Sequence, residues 1–314
     1  MNPLARAWFK ASAPGSLMLL GEHAVLHGKY AVVCAVHRRI EVTLCPRPDH
    51  TVRLLSNLGD CAMDLDQLTA RKEFRFVTAV IRLYRRRLPS GFDLRIRSQF
   101  SHKVGLGSSA AVTVAAAAAI RAWLGLKTAP KNLLRDAVGI IRAVQGLGSG
   151  ADVAASIFGG IVLYRARPLD VRPLGKLHPI TVLYSGSKKP TAEVVRIVER
   201  SRRQYPGLFR KIYNLMNMSS LQAAHAIRVG DWRRVGEIMS INQVLMEGIG
   251  VSNEKLSMMA YALCNDRRIL GAKISGSGLG DCVIGLGRSK RRRWPQTELP
   301  VKLSLNGVRI SHSR

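Results

Sequence analysis

Three short glycine-rich stretches, each set against a strand or a helix, constrain this chain more than any other feature of it. They are residues 14–21, beginning Pro14-Gly15 and ending at Gly21; Gly105, Leu106, Gly107, Ser108 and Ser109; and Gly276, Ser277, Gly278, Leu279 and Gly280. Glycine lets a backbone approach a ligand closely and turn its N–H groups inward. Where such a loop opens a helix, the unpaired first-turn donors and the positive end of the dipole favour an anion. The second stretch fits this description best, because an alanine-rich helix is expected over 110–124 directly after it. Its two serine hydroxyls suit phosphate oxygens or a magnesium ion. A single glycine pair is more often an ordinary turn, so the weight lies in finding three.

Two named phosphate motifs do not account for the second loop. No Gly-Lys-Ser/Thr follows it, so it is not a Walker A loop. Gly105, Gly107 and Ala110 satisfy the looser dinucleotide pattern G-x-G-x-x-A. That pattern expects an acid about 20 residues further on, and residues 121–135 contain none.

The rest of the chain mixes strand and helix signals. Apolar, β-branched runs at 30–36 and 40–45 read as strands. Apolar residues at 77, 80, 81, 84 and 88 predict a helix over 74–88, with Arg82, Arg85, Arg86 and Arg87 on its other face. Phe92, Leu94 and Ile96 alternate with Asp93, Arg95 and Arg97, the pattern of a half-buried strand. A helix is expected over 131–145, ending in a glycine loop at 146–150, and a strand over 161–164. Residues 165–178, with Pro168 and Pro173, read as irregular and as the boundary between two lobes, 1–175 and 176–314. The second lobe is expected to hold a strand at 180–184, helices at 191–205, 208–229, 232–247 and 254–265, and strands at 272–275 and 282–286. A closing hairpin at 301–305 and 308–310 would turn on Asn306-Gly307.

Composition sets the outer limits. At 314 residues the chain has room for about two domains. It is 47% hydrophobic and 22% charged, which excludes a disordered or low-complexity protein. Lysine and arginine number 49 against 20 acids, a net charge of +29, so an anionic partner is favoured over a cationic one. Five cysteines with no C-x-x-C pair argue against a disulfide framework or a zinc site. Residues 1–12 carry no apolar signal-peptide core. The small-apolar run 110–120 is shorter than the roughly 20 residues a bilayer needs. A cytoplasmic protein is expected.

Acids being scarce, Asp152 stands out. It follows Gly148, Ser149, Gly150 and Ala151 and precedes a helix-like run at 153–157. One reading is a helix N-cap. The other is a carboxylate beside a phosphate loop, placed to accept a proton from an attacking hydroxyl.

These segments resemble the motifs of the GHMP small-molecule kinases. Residues 13–28, with Glu22-His23-Ala24-Val25 and then Gly28, are similar to the first motif and to the mevalonate-kinase branch in particular. Residues 105–111 resemble the ATP-phosphate motif, and residues 273–278 the third. Ser149-Gly150-Ala151-Asp152 followed by Gly159-Gly160 looks like the segment carrying the family's catalytic aspartate. Residues 184–191 and 242–252 also resemble mevalonate-kinase segments. The matches run in family order from residue 13 to about 286.

The resemblance implies an α+β, two-lobed GHMP kinase fold, with a first lobe like domain 2 of ribosomal protein S5 and a ferredoxin-like second lobe. It implies ATP and Mg²⁺, and transfer of the γ-phosphoryl to the hydroxyl of mevalonate, in isoprenoid precursor synthesis. By the same resemblance Asp152 would take the hydroxyl proton. Gly105, Leu106, Gly107, Ser108, Ser109 and Ala110 would cradle the phosphates, and Ser109 would ligate Mg²⁺. Gly276, Ser277 and Gly278 would brace the phosphates from the second lobe, and Asn57 would lie near the adenine. Glu22, His23 and Thr191 would meet the acceptor.

Three positions depart from the family pattern. Ser16 stands where many mevalonate kinases have a lysine that favours the ionised hydroxyl, and Lys188 and Lys189 are candidates to replace it. Ile141, eleven residues before Asp152, stands where the family usually carries a Mg²⁺-ligating glutamate. Asp281 stands where the third motif usually continues in glycine, and beside phosphate it would be unfavourable unless it faces away. A sister kinase acting on phosphomevalonate or another small alcohol is the alternative. A third reading, a kinase-like fold that has lost catalysis and binds nucleic acid or a partner protein, draws on Ser16 and Ile141, on Arg85–Arg87 and on residues 290–293 of the basic tract at 288–293. Charge runs are usually solvated faces, so a small-molecule substrate is expected, with no nucleic acid and no membrane, and a homodimer is compatible.

Overall fold

The computed structural model describes residues 7–69, 71–291 and 294–313. Arg292 and Arg293 of the basic tract, and residues 1–6 of the N-terminal segment, lie outside the described residues.

In chain order the strands and helices are β1 (Trp8–Leu20), β2 (Ala31–Pro46), β3 (Thr51–Ser56), β4 (Gly59–Asp64), α1 (Arg75–Tyr84), β5 (Phe92–Ser98), α2 (Ser108–Trp123), α3 (Pro130–Gln145), α4 (Ala151–Phe158), β6 (Ile161–Ala166) and β7 (Leu169–Pro173). They continue with β8 (Ile180–Tyr184), α5 (Thr191–Gln204), α6 (Pro206–Val229), α7 (Trp232–Gly248), α8 (Glu254–Cys264), β9 (Ala272–Ser275), β10 (Cys282–Leu286), β11 (Thr297–Glu298) and β12 (Arg309–Ser313). Two sheets result. The larger runs β12-β1-β2-β5-β3-β4, with β6 beside β2 and β7 beyond it; the smaller runs β11-β8-β10-β9.

The first glycine-rich stretch is not a loop. Residues 14–20 continue β1, and the chain turns only at Gly21, which has φ +87°. β1 pairs antiparallel with β2 along its length, with register shifts between Pro14 and Ser16 and between Met18 and Leu20. A bulge re-aims the side chains beside it, and Ser16 sits at one. Burial along β1 alternates as far as Ala13 and is then continuous. A strand with one covered face alternates, and one covered on both faces does not. One face of the β1–β2 region takes α2 and α4. The other takes α6, α7 and the second sheet, through a core joining Leu17, Leu19, Val32 and Cys34 to Ala223, Ile227, Met239 and Ile284. Helix α2 has no exposed side chain from Val114 to Ile120, and its alanines let it lie close against β1 and β2.

The expected division near residue 175 falls between β7 and β8, and the C-terminal strand β12 crosses back to pair with β1. The closing hairpin is therefore absent. Leu303 makes an isolated bridge to Val36, and β12 adds an edge to the first sheet. The segment read as irregular contains β7, paired with β6. The helix expected over 74–88 is realised as α1, flanked by 3₁₀ turns at Lys72–Phe74 and Arg85–Arg87. No helix among the described residues is long and apolar enough to cross a membrane.

Candidate active site

A cavity of about 1440 Å³ opens between the two sheets, and most of the singled-out residues line it. The first lobe contributes Ser16, Glu22, His23, Asn57, Gly105, Gly107, Ser108, Ser109, Ala110 and Asp152. The second contributes Lys188, Thr191, Gly276, Ser277 and Asp281. Leu106 and Gly278 are not in the lining. The Leu106 side chain is buried in the core between the sheets while its carbonyl accepts from the Ser16 amide at 3.1 Å. A Cβ on Gly278 would meet the Val251 carbonyl oxygen at 2.3 Å, so that glycine packs the loop against its neighbour. Asn57 is exposed at the rim, on the β3–β4 turn.

The second glycine-rich stretch leads into α2 through Gly107, at φ +63°. That left-handed conformation costs an L side chain energy, and a Cβ there would fall 2.0 Å from Ser16 Oγ. No side chain caps α2, so its first-turn N–H groups are free for a ligand.

Asp152 lies in the first turn of α4, whose N-cap is Gly150. The N-cap reading is therefore set aside. The carboxylate instead accepts a hydrogen bond from Ser16 Oγ at 2.8 Å. Burial pushes its pKa up; the Ser16 hydroxyl and the nearby Lys188 ammonium pull it down, and Glu22 pushes it up. A carboxylate raised by burial yet still held by a donor is poised to take a proton.

The two lysine candidates separate. Lys188 lines the cavity and pairs with Asp281 at 3.6 Å, whereas Lys189 pairs with Glu193 at 3.8 Å on the flank of α5. Ile141 lines the cavity as a hydrocarbon. Asp281 does not face away. It lines the cavity at φ +66°, its amide donating to the Ser187 carbonyl at 2.8 Å. Burial raises its pKa, Lys188 lowers it and Asp152 raises it.

Of the polar ties between the lobes, two start from the cavity-lining residues Glu22 and His23. Lys273, wholly buried in β9, donates to Glu22 Oε1 at 2.5 Å and also to the Ile274 carbonyl. Burial lowers the lysine pKa and Glu22 opposes that. His23 Nε2 lies 2.8 Å from the Ser277 carbonyl. A carbonyl only accepts, so Nε2 carries the proton and donates. Burial lowers the His23 pKa, so the ring is neutral at pH 7. Lys273 was not singled out from the sequence, although a lysine inside the apolar strand Ala272–Ser275 was the available signal.

A second cavity of about 210 Å³ adjoins the first, sharing Val25, Leu26, Gly148 and Ser149, and is lined also by Arg142 and Arg167.

Residues 75–160 match the GHMP kinases N terminal domain, and residues 223–293 match GHMP kinases C terminal. A mevalonate kinase of Archaeoglobus fulgidus is 35% identical over 300 residues, covering 96% of this chain and 99% of the relative. The crystal structure of L. major mevalonate kinase in complex with R-mevalonate superposes with a TM-score of 0.74 at 25% identity, covering 90% of this chain and 87% of that one. Lactococcus lactis galactokinase complexed with galactose superposes with a TM-score of 0.83 at 18% identity, covering 96% and 95%. Likeness of fold thus extends to kinases of different alcohols, and it is the identity along almost the whole sequence that decides the affiliation: the chain belongs to the GHMP kinase family.

Proposed function

We propose that this protein transfers the γ-phosphoryl group of ATP to the hydroxyl of mevalonate. The observation that carries the reading is Asp152, a buried carboxylate bonded to Ser16 Oγ at 2.8 Å. It lines one cavity together with the glycine-serine loop before α2 and with Glu22 and His23. First-turn amides of α2 hold the phosphate tail in place. Asp152 accepts the hydroxyl proton as the oxygen attacks, and the Ser16 hydroxyl keeps the carboxylate oriented. Lys188 offsets the negative charge that grows at the reacting centre. Glu22, with Oε2 buried and unpartnered among the described residues, offers an acceptor to an alcohol hydroxyl.

Mg²⁺ is a hard cation that takes oxygen ligands and keeps several waters, and the oxygen donors facing the cavity suit it. Ser109 would hold it. When bound, it neutralises charge on the phosphate oxygens.

Arg142 and Arg167 around the adjoining cavity favour a second reading, a sister kinase whose acceptor already carries a phosphate. ADP release measured with mevalonate, phosphomevalonate, homoserine and galactose decides between them. Turnover with mevalonate alone supports the first reading, and turnover only with phosphomevalonate supports the second. No ADP release with any acceptor refutes both.

A further inference from the structure

The family resemblance leads one to expect a metal-ligating carboxylate at position 141, and Ile141 has no donor atom. A different carboxylate has come into the same cavity. Asp281 lies at the junction of the two glycine loops. A Cβ built on Gly105, the first residue of the phosphate loop, would meet Asp281 Oδ1 at 2.7 Å; one built on Gly276 would meet Oδ2 at 3.7 Å. The Asp281 side chain is only 10% exposed, and Oδ1 has no hydrogen-bond partner among the described residues. Its nearest cation is the Lys188 ammonium at 3.6 Å, beyond hydrogen-bond length.

Placing a buried, unpartnered carboxylate oxygen against a phosphate loop is unfavourable unless a cation lies between carboxylate and phosphate. Lysine supplies one positive charge on a flexible stem, whereas the site brings together Asp152, Asp281 and, with ATP, the phosphates. A divalent ion closes that imbalance, and Mg²⁺ is ordinarily held by one or two carboxylates together with phosphates. The backbone is arranged to present this side chain. Asp281 donates its amide to Ser187 O at 2.8 Å and accepts at its carbonyl from Ser185 N at 2.9 Å. It is held in a left-handed conformation that only Gly, Asn and Asp adopt readily.

Building on the kinase reading above, we infer that Asp281 is a protein ligand of the nucleotide-bound metal, with Ser109, and that it takes over from the second lobe the role that residue 141 cannot fill. The metal would then be held by groups from both lobes.

The test is binding of a non-hydrolysable ATP analogue by calorimetry, with and without Mn²⁺, together with Mn²⁺ electron paramagnetic resonance, for wild type and Asp281→Asn. Asparagine has the same shape and tolerates the same φ. If Asp281 ligates the metal, Asp281→Asn weakens metal-supported binding by about tenfold or more and broadens or shifts the bound Mn²⁺ signal. Metal-free binding stays equal or tightens, because a negative charge beside phosphate is gone. Tighter binding under both conditions means that Asp281 only repels phosphate. Equal weakening under both means that it only shapes the loop. Either result overturns the inference while leaving the kinase reading intact, as does an unchanged Mn²⁺ dependence. If Asp281→Asn does not fold, Asp281→Gly, which suits φ +66°, carries the same expectations. Wild type that binds no analogue with or without Mn²⁺ removes the kinase reading and the inference together.

Discussion

Replacing Ser16 with alanine isolates what holds the base in its working state. Ser16 is 1% exposed, and its hydroxyl donates to Asp152 Oδ1 at 2.8 Å. That bond favours the ionised carboxylate and works against the burial that raises its pKa. A hydrogen bond to a charged group is worth about 1.5–3 kcal/mol, and each pH unit of pKa corresponds to about 1.4 kcal/mol. Removing the donor should therefore raise the Asp152 pKa further, because burial then acts without that opposition. The acid limb of kcat/KM, followed as ADP release across pH, then moves to higher pH. The alkaline plateau stays within a few-fold of wild type, because Asp152 is still present and ionised there. The stability loss has the same origin. It is largest at high pH, where the carboxylate is charged, and shrinks as protonation removes the need for a donor. An acid limb that stays in place, or moves to lower pH, would refute the claim that Ser16 tunes the base.

Asp152→Asn should lower turnover at least about 100-fold, or about 2.7 kcal/mol of barrier, with binding of the ATP analogue retained. The same variant should raise Tm at pH 8. The native carboxyl has a pKa above its unfolded value, so its buried charge destabilises the fold as pH rises through the folded pKa, and the gain from asparagine vanishes as pH falls toward the ordinary range near 3.9. Lys188→Met should shift the acid limb upward in a salt-sensitive way, since the lysine is partly exposed, while Lys189→Met leaves the limb unmoved. Lys273→Met strands the Glu22 carboxylate in a site that is 3% exposed. Chemical denaturation should show a loss of about 3–5 kcal/mol, largely recovered by adding Glu22→Gln. Absence of that recovery would mean that the pair is not coupled.

Much of this was legible in the sequence, and the failures have physical causes. The alternation at Phe92–Ser98 and the apolar spacing through Arg75–Tyr84 gave β5 and most of α1, because both bury a single face. The glycine-serine turn before α2 and the place of Asp152 in the first turn of α4 were legible because glycine and serine before a helix carry their signal locally. β1 went unread, and its second half was taken for a glycine loop because Ala13, Pro14, Gly15 and Ser16 are poor strand formers. Packing on both faces, rather than propensity, keeps that segment extended. β3 and β4 went unseen because they lie toward or at the sheet edge and carry polar residues, and β12 was read only as the strand at 308–310, with a hairpin partner in place of β1. The place of Lys188 and the direction of Asp281 depend on how the second lobe docks on the first, and no local pattern encodes that. The available hint was chemical: a lone carboxylate inside a glycine loop and a lone lysine inside an apolar strand.

Ser16, Ile141 and Asp281 read as three separate losses along the chain, but in space they form one rearrangement. Ser16 and Ile141 both belong to the first lobe, and both lack the charge that the family pattern carries there. The compensating groups, Lys188 and Asp281, both come from the second lobe, on loops joined by the hydrogen bonds of Asp281 to Ser185 and Ser187. On this reading the base stays with β1 and α4, while the cation and the carboxylate proposed for the metal travel with β8 and β10. Separating the lobes would take Lys188 away from Asp152 and Asp281 away from Gly105 together. The ties from Glu22 to Lys273 and from His23 to Ser277 oppose that separation at the cavity itself. The burial of an ion pair with so large a desolvation cost makes sense on this account. It holds in register two halves of a site whose charges, in this chain, have been divided between them.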